Sequence, residues 1–337
     1  MDGVKAGEAL RKMAVATAHV YLVGVMMWAG LRQIFLDRWW WLFVLNTFAI
    51  YLFAPLPLAF FVAGWARRRE IWIGSVLVLL VGMGILGPFY LPHTRNVEAG
   101  GPRLTVMTTN VLGYNTNPGP IVEAIREADA DLVAIQELNA PTAETIHREL
   151  ADAYPYRIFD PRPGVSGMGL LSRYPLTPTG ETLPGQWIGT PQVLELDFEG
   201  VLVTVVHAHP FPTQPVKPHL MQRSIEARTE QARILADFVA AHPGPLLAPG
   251  DFNTTAHTRA YALLTENLVD AWREAAWGPG HTWPGSLPLR WLVRIDYVFH
   301  SPEWRAVEAE IGPWDGASDH RPVVATLVLL AEAGLEE

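Results

Sequence analysis

The sequence predicts a chain in two parts: three membrane-spanning helices, then a β-rich α/β domain in which two sheets pack together with helices outside. Three observations carry this. The first hundred residues hold three long apolar runs without a charged side chain. The remainder alternates short apolar strands with segments of helical period. Polar residues recur at the ends of those strands.

Met13 to Leu31 is an uncharged stretch of 19 residues, Trp39 to Ala66 one of 28, and Ile71 to Thr94 one of 24. Each is long enough to cross a hydrocarbon core as a helix. Pro55 and Pro57 fall inside the second run, where a kink is expected. Aromatic residues gather near the ends of the runs (Trp39-Trp40-Trp41, Trp65, Trp72, Phe89-Tyr90), as in an interfacial belt. His19 within the first run reads as a helix-packing residue near the end of its span. Lys5, Arg11 and Lys12 precede the first span, and Arg67-Arg68-Arg69 separate the second from the third. Positive charge favours the cytoplasmic side, so three spans carry everything after residue 95 to the extracytoplasmic face of the cell membrane.

Residues 1–94 are therefore read as the membrane region, 95–102 as a short Gly- and Pro-bearing linker, and 103–337 as a separate domain. Charge divides at the same place. Residues 1–102 carry 9 Lys+Arg against 5 Asp+Glu, and the rest carry 16 against 29, a net of −13. An acidic domain lacks the basic footprint that phosphate neutralisation needs, which weighs against nucleic acid as a partner. There is no cysteine, so disulfides and thiolate metal sites are excluded.

Within the second part, Arg103–Val111 reads as a strand ending at Asn110, Pro118–Asp129 as a helix, and Asp131–Glu137 as a buried strand: a β-α-β unit. Thr142–Ala151 reads as a helix, and Tyr156–Phe159 and Gly169–Ser172 as short strands. Gln192–Phe198 and Val201–His209 form a hairpin across Glu199-Gly200. Leu220–Ala241 is the longest soluble helix, and Leu246–Ala248, Ile295–Phe299 and Val323–Leu329 are further strands.

The polar groups at these strand ends are Asn110, Glu137, His207 and His209, Asp251 and Asn253 of Gly250-Asp251-Phe252-Asn253, and Asp319-His320 of Ser318-Asp319-His320-Arg321-Pro322. Asp251-Phe252-Asn253 also has the makings of an Asx-turn. His219, His242, His257, His281 and His300 read as surface or loop residues. Arg173 reads as structural, and Arg228 as a helix residue paired with neighbouring charge or solvent. The tryptophans 272, 277, 283 and 291, with Leu287 and Leu289, suit a core, a lip beside a site, or a membrane-resting edge.

Asn110, Gln136-Glu137, the histidine-bearing strand end, Gly250-Asp251-Phe252-Asn253, Ile295-Asp296-Tyr297 and Ser318-Asp319-His320 together resemble the endonuclease/exonuclease/phosphatase superfamily. The motifs stand in that family's order across nearly all of residues 103–330. The resemblance implies a four-layered α/β sandwich of the DNase I-like fold and metal-assisted hydrolysis of a phosphate ester. It assigns Asn110, Glu137 and Asp319 to Mg²⁺ or Mn²⁺, hard ions that take oxygen ligands. It pairs His320 with Asp296, gives Asn253 to a phosphoryl oxygen, and leaves the water-activating role to Asp251 or His320. Of the two strand histidines, which a two-residue period puts on one face, His209 is the better catalytic match and His207 the second.

The arrangement also resembles bacterial membrane-bound members of the superfamily, including the teicoplanin-resistance (VanJ-like) type. That likeness implies a phosphorylated, lipid-linked substrate met at the bilayer. Two alternatives remain open at this stage. An extracellular nuclease would nick supercoiled DNA with Mg²⁺. A non-catalytic tethered binding module would keep its effect without Glu137 or His320.

Overall fold

The computed structural model describes residues 2–90, 100–213, 217–285 and 291–330. Most of the linker, and Leu287 and Leu289, lie outside the described residues. The chain divides into two compact units, Met1–Leu91 and Pro92–Glu337.

In the first unit, α1 (Asp2–Phe35) and α4 (Arg69–Tyr90) are long and apolar enough to cross a membrane. The middle run is a bent helix pair that makes a third span if the pair is taken as one. It forms α2 (Trp40–Thr47), a 3₁₀ turn over Ala49–Phe53 and α3 (Leu56–Trp65), with a 74° bend at the break. Pro55 caps α3 and Pro57 lies in its first turn. Neither ring can donate a helical N–H, which suits both to the start of α3; the 74° bend itself lies earlier, between Thr47 and Ala49.

A core of Leu22, Val25, Trp28, Leu42, Leu56, Val62, Ile71 and Val78 joins these helices. Asn46 is fully buried within it, accepting from Trp28 Nε1 at 3.0 Å and donating to Leu36 O at 2.9 Å. Large apolar side chains also point outward: among the described residues, 21 exposed ones fall in this unit and only 5 in the second. Such an inverted surface suits lipid, not water. Arg11 donates to Ala66 O at 2.6 Å. The basic start of α1 and the Arg67–Arg69 loop thus lie at one end of the bundle.

The second unit is a four-layered α/β sandwich. One sheet has the order β11-β12-β1-β2-β4-β3, the other β5-β6-β7-β8-β10-β9. The first contains β1 (Arg103–Asn110), β2 (Leu132–Gln136), β3 (Tyr156–Asp160), β4 (Met168–Ser172), β11 (Trp304–Ile311) and β12 (Val323–Leu329). The second contains β5 (Leu176–Pro178), β6 (Gln192–Phe198), β7 (Val201–His207), β8 (Leu246–Asp251), β9 (Val269–Asp270) and β10 (Asp296–His300). Between the sheets, Leu104, Val106, Leu132, Leu170, Leu196, Phe198, Val205, Val298 and Leu327 form one dry core.

On the outer face of the first sheet, Met107, Val133, Ile135 and Leu171 pack against Ile121, Val122 and Ile125 of α5 (Gly119–Ala128) and Ile146 of α6 (Ala140–Glu149). Asn139 caps α6 by accepting from Thr142 N. On the other side, α7 (Pro218–Ala241) and α8 (Arg259–Leu264) lie together, and Tyr261 of α8 joins Phe252, Tyr297 and Phe299 in an aromatic cluster. A short α9 (Ala271–Ala275) follows β9.

Glu199 and Gly200 turn the β6–β7 hairpin with φ values of 53° and 86°. A two-residue turn with both central residues at positive φ matches the twist of paired strands. The sequence reading passed over β11. A bulge between Ala306 and Glu308 breaks the alternation that would have marked it. β7 also ends earlier than predicted, at His207, so the two-residue period does not extend to His209.

Candidate active site

The strand registers bring the motifs to one edge of the sandwich. β1 runs parallel to β2 with Asn110 opposite Gln136, which puts Glu137 just beyond. β8 and β10 run antiparallel with Asp251 opposite Asp296. β12 runs antiparallel to β1, so the Ser318–His320 segment before it returns to the Asn110 end, and Ser318 Oγ donates to Asn110 O at 2.6 Å.

At one side stands a buried relay. His320 Nδ1 donates to Asp296, 3.0 Å from Oδ2, and its Nε2 lies 3.7 Å from Asp251 Oδ2. The ligand-type atoms of Asp251, Asp296 and His320 fall within 4.8 Å of one another. Burial disfavours an imidazolium, but Asp296 and then Asp251 outweigh it and push His320 up to about 10. Burial likewise opposes charge on Asp251, yet His320, His209 and the Asn253 N–H hold it down to about 2. For Asp296, burial pushes the carboxyl up against the pull of His320. Asp296 fixes Nδ1 of the ring and leaves Nε2 toward Asp251, an arrangement suited to holding or moving a proton.

At the other side stands an oxygen pocket. Asn110 Nδ2 donates to Glu137 Oε1 at 3.0 Å and to Asp251 Oδ2 at 3.1 Å, while its Oδ1 accepts from Leu112 N. Glu137 Oε2 accepts from Gly113 N at 2.9 Å. Glu137 sits at φ 60°, an uncommon conformation for a residue with a side chain, which turns its carboxylate off the end of β2. The Asn110 amide nitrogen thus bridges the carboxylates of Glu137 and Asp251. An all-oxygen donor set of Glu137 and the Asn110 carboxamide fits a hard divalent ion.

Asp319 is placed differently from Glu137. Its Oδ2 accepts from Trp283 Nε1 at 3.2 Å, and its peptide O accepts from Gly285 N at 2.7 Å. Nothing in the local pattern marks this clamp beyond the tryptophans that precede the Asp296 strand.

Of His207 and His209, His209 is the one beside Asp251, with Nε2 3.5 Å from Oδ2. His207 is fully buried between Gln136 Nε2 at 2.7 Å and Gln192 Oε1 at 3.0 Å. Burial, and then the nearby His209, depress it to about 3. Asn253 is not on an extended strand. It stands at φ 51°, its N–H donates to Asp251 Oδ1 at 2.9 Å, and its Nδ2 donates to Pro210 O at 3.1 Å. That is the Asx-turn.

Three outlying readings change. His257 and His300 are buried, not on the surface; His300 meets Ser301 O and Glu274. Arg228 is also buried and donates to Phe211 O. Trp272 is core, whereas Trp277 is 71% exposed. Arg173 pairs with Asp129 and Asp131, a structural tie.

With this geometry in view, a model described as the Endonuclease/Exonuclease/phosphatase family matches residues 107–320. A UPF0294 protein of Vibrio vulnificus strain YJ016 is 26% identical over 302 residues, covering 78% of this chain and 98% of its own. Among solved structures, an endonuclease/exonuclease/phosphatase from Bacteroides vulgatus superposes with a TM-score of 0.54 at 20% identity, covering 68% of this chain and 99% of that one. TDP2 of D. rerio, complexed with a single-strand DNA product, gives 0.53 at 16%, covering 67% and 98%. A protein of the same description from Beutenbergia cavernae gives 0.52 at 24%, covering 69% and 73%. At these identities the superpositions speak for the fold.

Proposed function

The chain belongs to the endonuclease/exonuclease/phosphatase family, and from that premise we propose that it is a membrane-anchored, divalent-metal-dependent phosphoesterase. The observation that carries this is the unbroken line of polar contacts from Asp296 through His320, Asp251 and Asn110 to Glu137. It joins a proton-holding relay to an oxygen pocket across one strand edge.

Residues 1–94 are the anchor, 95–102 the linker and 103–337 the catalytic domain. Glu137 and Asn110, and Asp319 as a third candidate, would hold Mg²⁺ or Mn²⁺, which when bound would withdraw charge from a phosphoryl oxygen. Asp251 enters as an anion and orients the attacking water. His209, beside Asp251, and Asn253, at the turn, line the place a phosphoryl group would occupy. His320, its Nδ1 fixed by Asp296, enters as an imidazolium with Nε2–H as donor to phosphoryl charge or to the leaving oxygen. Water adds its hydroxyl to phosphorus, the P–O bond to the leaving group breaks, and a proton passes to the departing oxygen.

The substrate favoured is a lipid-linked phosphate or pyrophosphate on the extracytoplasmic face. Support comes from the anchor, the basic residues gathered at one end of its bundle, and the domain's net charge of −13. A tether confines the domain near lipid-borne phosphate and raises its effective concentration there.

The test is a panel with purified full-length protein: lipid phosphates and pyrophosphates, sphingomyelin, inositol phosphates and supercoiled DNA, each with Mg²⁺, Mn²⁺ or chelator. Turnover of lipid phosphates that chelation abolishes is expected. Activity that survives chelation overturns the metal-dependent reading, and turnover of DNA alone overturns the lipid assignment. Orientation is checked separately: protease outside intact cells should remove the catalytic domain.

A further inference from the structure

Asn139 opens α6, two residues beyond Glu137, and every hydrogen-bonding group of its carboxamide is engaged. Its Oδ1 accepts from Thr142 N at 2.9 Å, which caps the helix. Its Nδ2 donates to two carbonyls of a different segment, Gly113 O at 3.0 Å and Asn115 O at 2.9 Å. A cap needs only the oxygen, which a serine or aspartate supplies as well. Both amide protons go instead to the loop that follows β1.

That loop faces the oxygen pocket. Leu112 N donates to Asn110 Oδ1 at 3.0 Å, and Gly113 N donates to Glu137 Oε2 at 2.9 Å. Two successive peptide N–H groups thus hold one oxygen from each of the two side chains that suit a hard cation. The backbone does not adopt this geometry by preference. Leu112 stands at φ 57° and Glu137 at φ 60°, in the left-handed region that side chains disfavour. Such positions persist where the surroundings over-determine them. Gly113 is pressed from the other side, since a Cβ built on it would collide with Gly164 O.

The same loop reaches the relay. Asn115 N donates to Leu112 O at 2.7 Å, and its Nδ2 donates to Asp315 Oδ2 at 3.3 Å. Asp315 Oδ1 accepts from Ser318 N at 2.8 Å, and Ser318 Oγ accepts from His320 N at 3.1 Å. One short loop therefore touches the pocket and the segment that carries His320, and Asn139 holds it by two carbonyls.

We infer that Asn139 is a positioning residue for the cation pocket: by gripping Gly113 and Asn115 it sets the two N–H groups that aim Asn110 and Glu137. The inference rests on the metal-dependent reading above. Without the grip the strained turn relaxes, and both oxygens lose the donor that orients them. Loss of a partner that orients a metal ligand costs about 10- to 100-fold in metal affinity.

The experiment uses full-length protein in detergent with Mn²⁺ alone as the probe. Electron paramagnetic resonance of unbound Mn²⁺ reads the affinity, and urea unfolding without metal reads the stability. Asn139→Ser keeps an acceptor for Thr142 N, but one shorter hydroxyl cannot serve both carbonyls. It should weaken Mn²⁺ binding at least tenfold while its urea midpoint stays close to that of wild type. Asn139→Asp is the second variant, with a strong cap and no amide proton. It should also bind Mn²⁺ more weakly, although its added negative charge alone would tighten binding.

A folded Asn139→Ser or Asn139→Asp that binds Mn²⁺ within twofold of wild type overturns the role. So does an affinity loss that vanishes once binding is scaled to the folded fraction. In a kinetic arm, Asn139→Ser should raise the half-saturating Mn²⁺ concentration about tenfold and leave the rate at saturating Mn²⁺ within threefold. A wild type that binds no Mn²⁺ overturns the metal-dependent reading and this role with it. Asn139-dependent Mn²⁺ binding without hydrolysis of any phosphate ester overturns the phosphoesterase reading and leaves the positioning role standing.

Discussion

His207 and His320 are both buried at the same edge of the sandwich, yet they carry opposite charge states. His207 lies between two carboxamides, Gln136 and Gln192, and is depressed to about 3. His320 lies between two carboxylates, Asp296 and Asp251, and is raised to about 10. Burial pushes both imidazoles toward neutrality; only the partners differ. Amides satisfy a neutral ring, one as donor and one as acceptor. Carboxylates offer acceptors alone, so they hold the ring charged. One histidine becomes a strut between the sheets and the other a proton-bearing group at the site.

The sharpest way to break this contrast is to remove each ring in turn. His320→Gln should lower kcat by about 10³-fold, within the range for loss of a general acid or base. His207→Gln keeps the amide chain between the sheets and should cost less than tenfold. Steady-state rates on the substrate that wild type turns over decide this, and similar losses for both would erase the distinction.

A somewhat smaller effect is expected for Asp296→Asn. The imidazole loses the partner that fixes Nδ1–H, so kcat should fall by about 10²-fold, and the His320 titration should move down from about 10. Nitrogen-15 NMR of the ring reads the second effect independently of turnover.

Stability against pH separates the pair without any substrate. His207 is lowered in the folded state, so the unfolded chain binds the extra proton between about pH 6.5 and 3. Stability should fall as pH drops through that window, by up to about 1.4 kcal/mol per pH unit. His320 is raised, so its contribution is complete below about 6.5 and is lost as pH rises toward 10. Urea unfolding from pH 4 to 9 should show the acid slope flatten in His207→Gln and the alkaline slope flatten in His320→Gln.

The smallest effect is expected for Gln192→Glu, which gives His207 one carboxylate partner. The ring should titrate higher, and the acid slope should shrink while kcat changes by less than about threefold. An unmoved titration would mean that burial, not partner chemistry, governs this site.

Much of this protein was legible in local pattern. The uncharged runs mark the anchor because a bilayer tolerates little else over that length. Asn110, Glu137, Asp251 and His320 stand out because polar residues terminate apolar strands, and strand ends converge at a sheet edge. Trp304–Ile311 was missed because its bulge shifts the period. The second apolar run is bent as expected, but its bend falls between Thr47 and Ala49, ahead of the prolines that mark it in the sequence.

Other features have no local signal. A histidine looks the same in sequence whether amides or carboxylates will surround it, and those partners come from strands 15 to 71 positions away. The turn of Asp319 toward Trp283 and the grip of Asn139 on Gly113 and Asn115 likewise depend on chain segments that meet only after folding. Sequence by itself determined which groups reach the edge, because hydrophobic period dictates where strands begin and end. Tertiary structure alone decided what each group does there, because charge, tautomer and ligand geometry are set by neighbours that burial brings within a few ångströms.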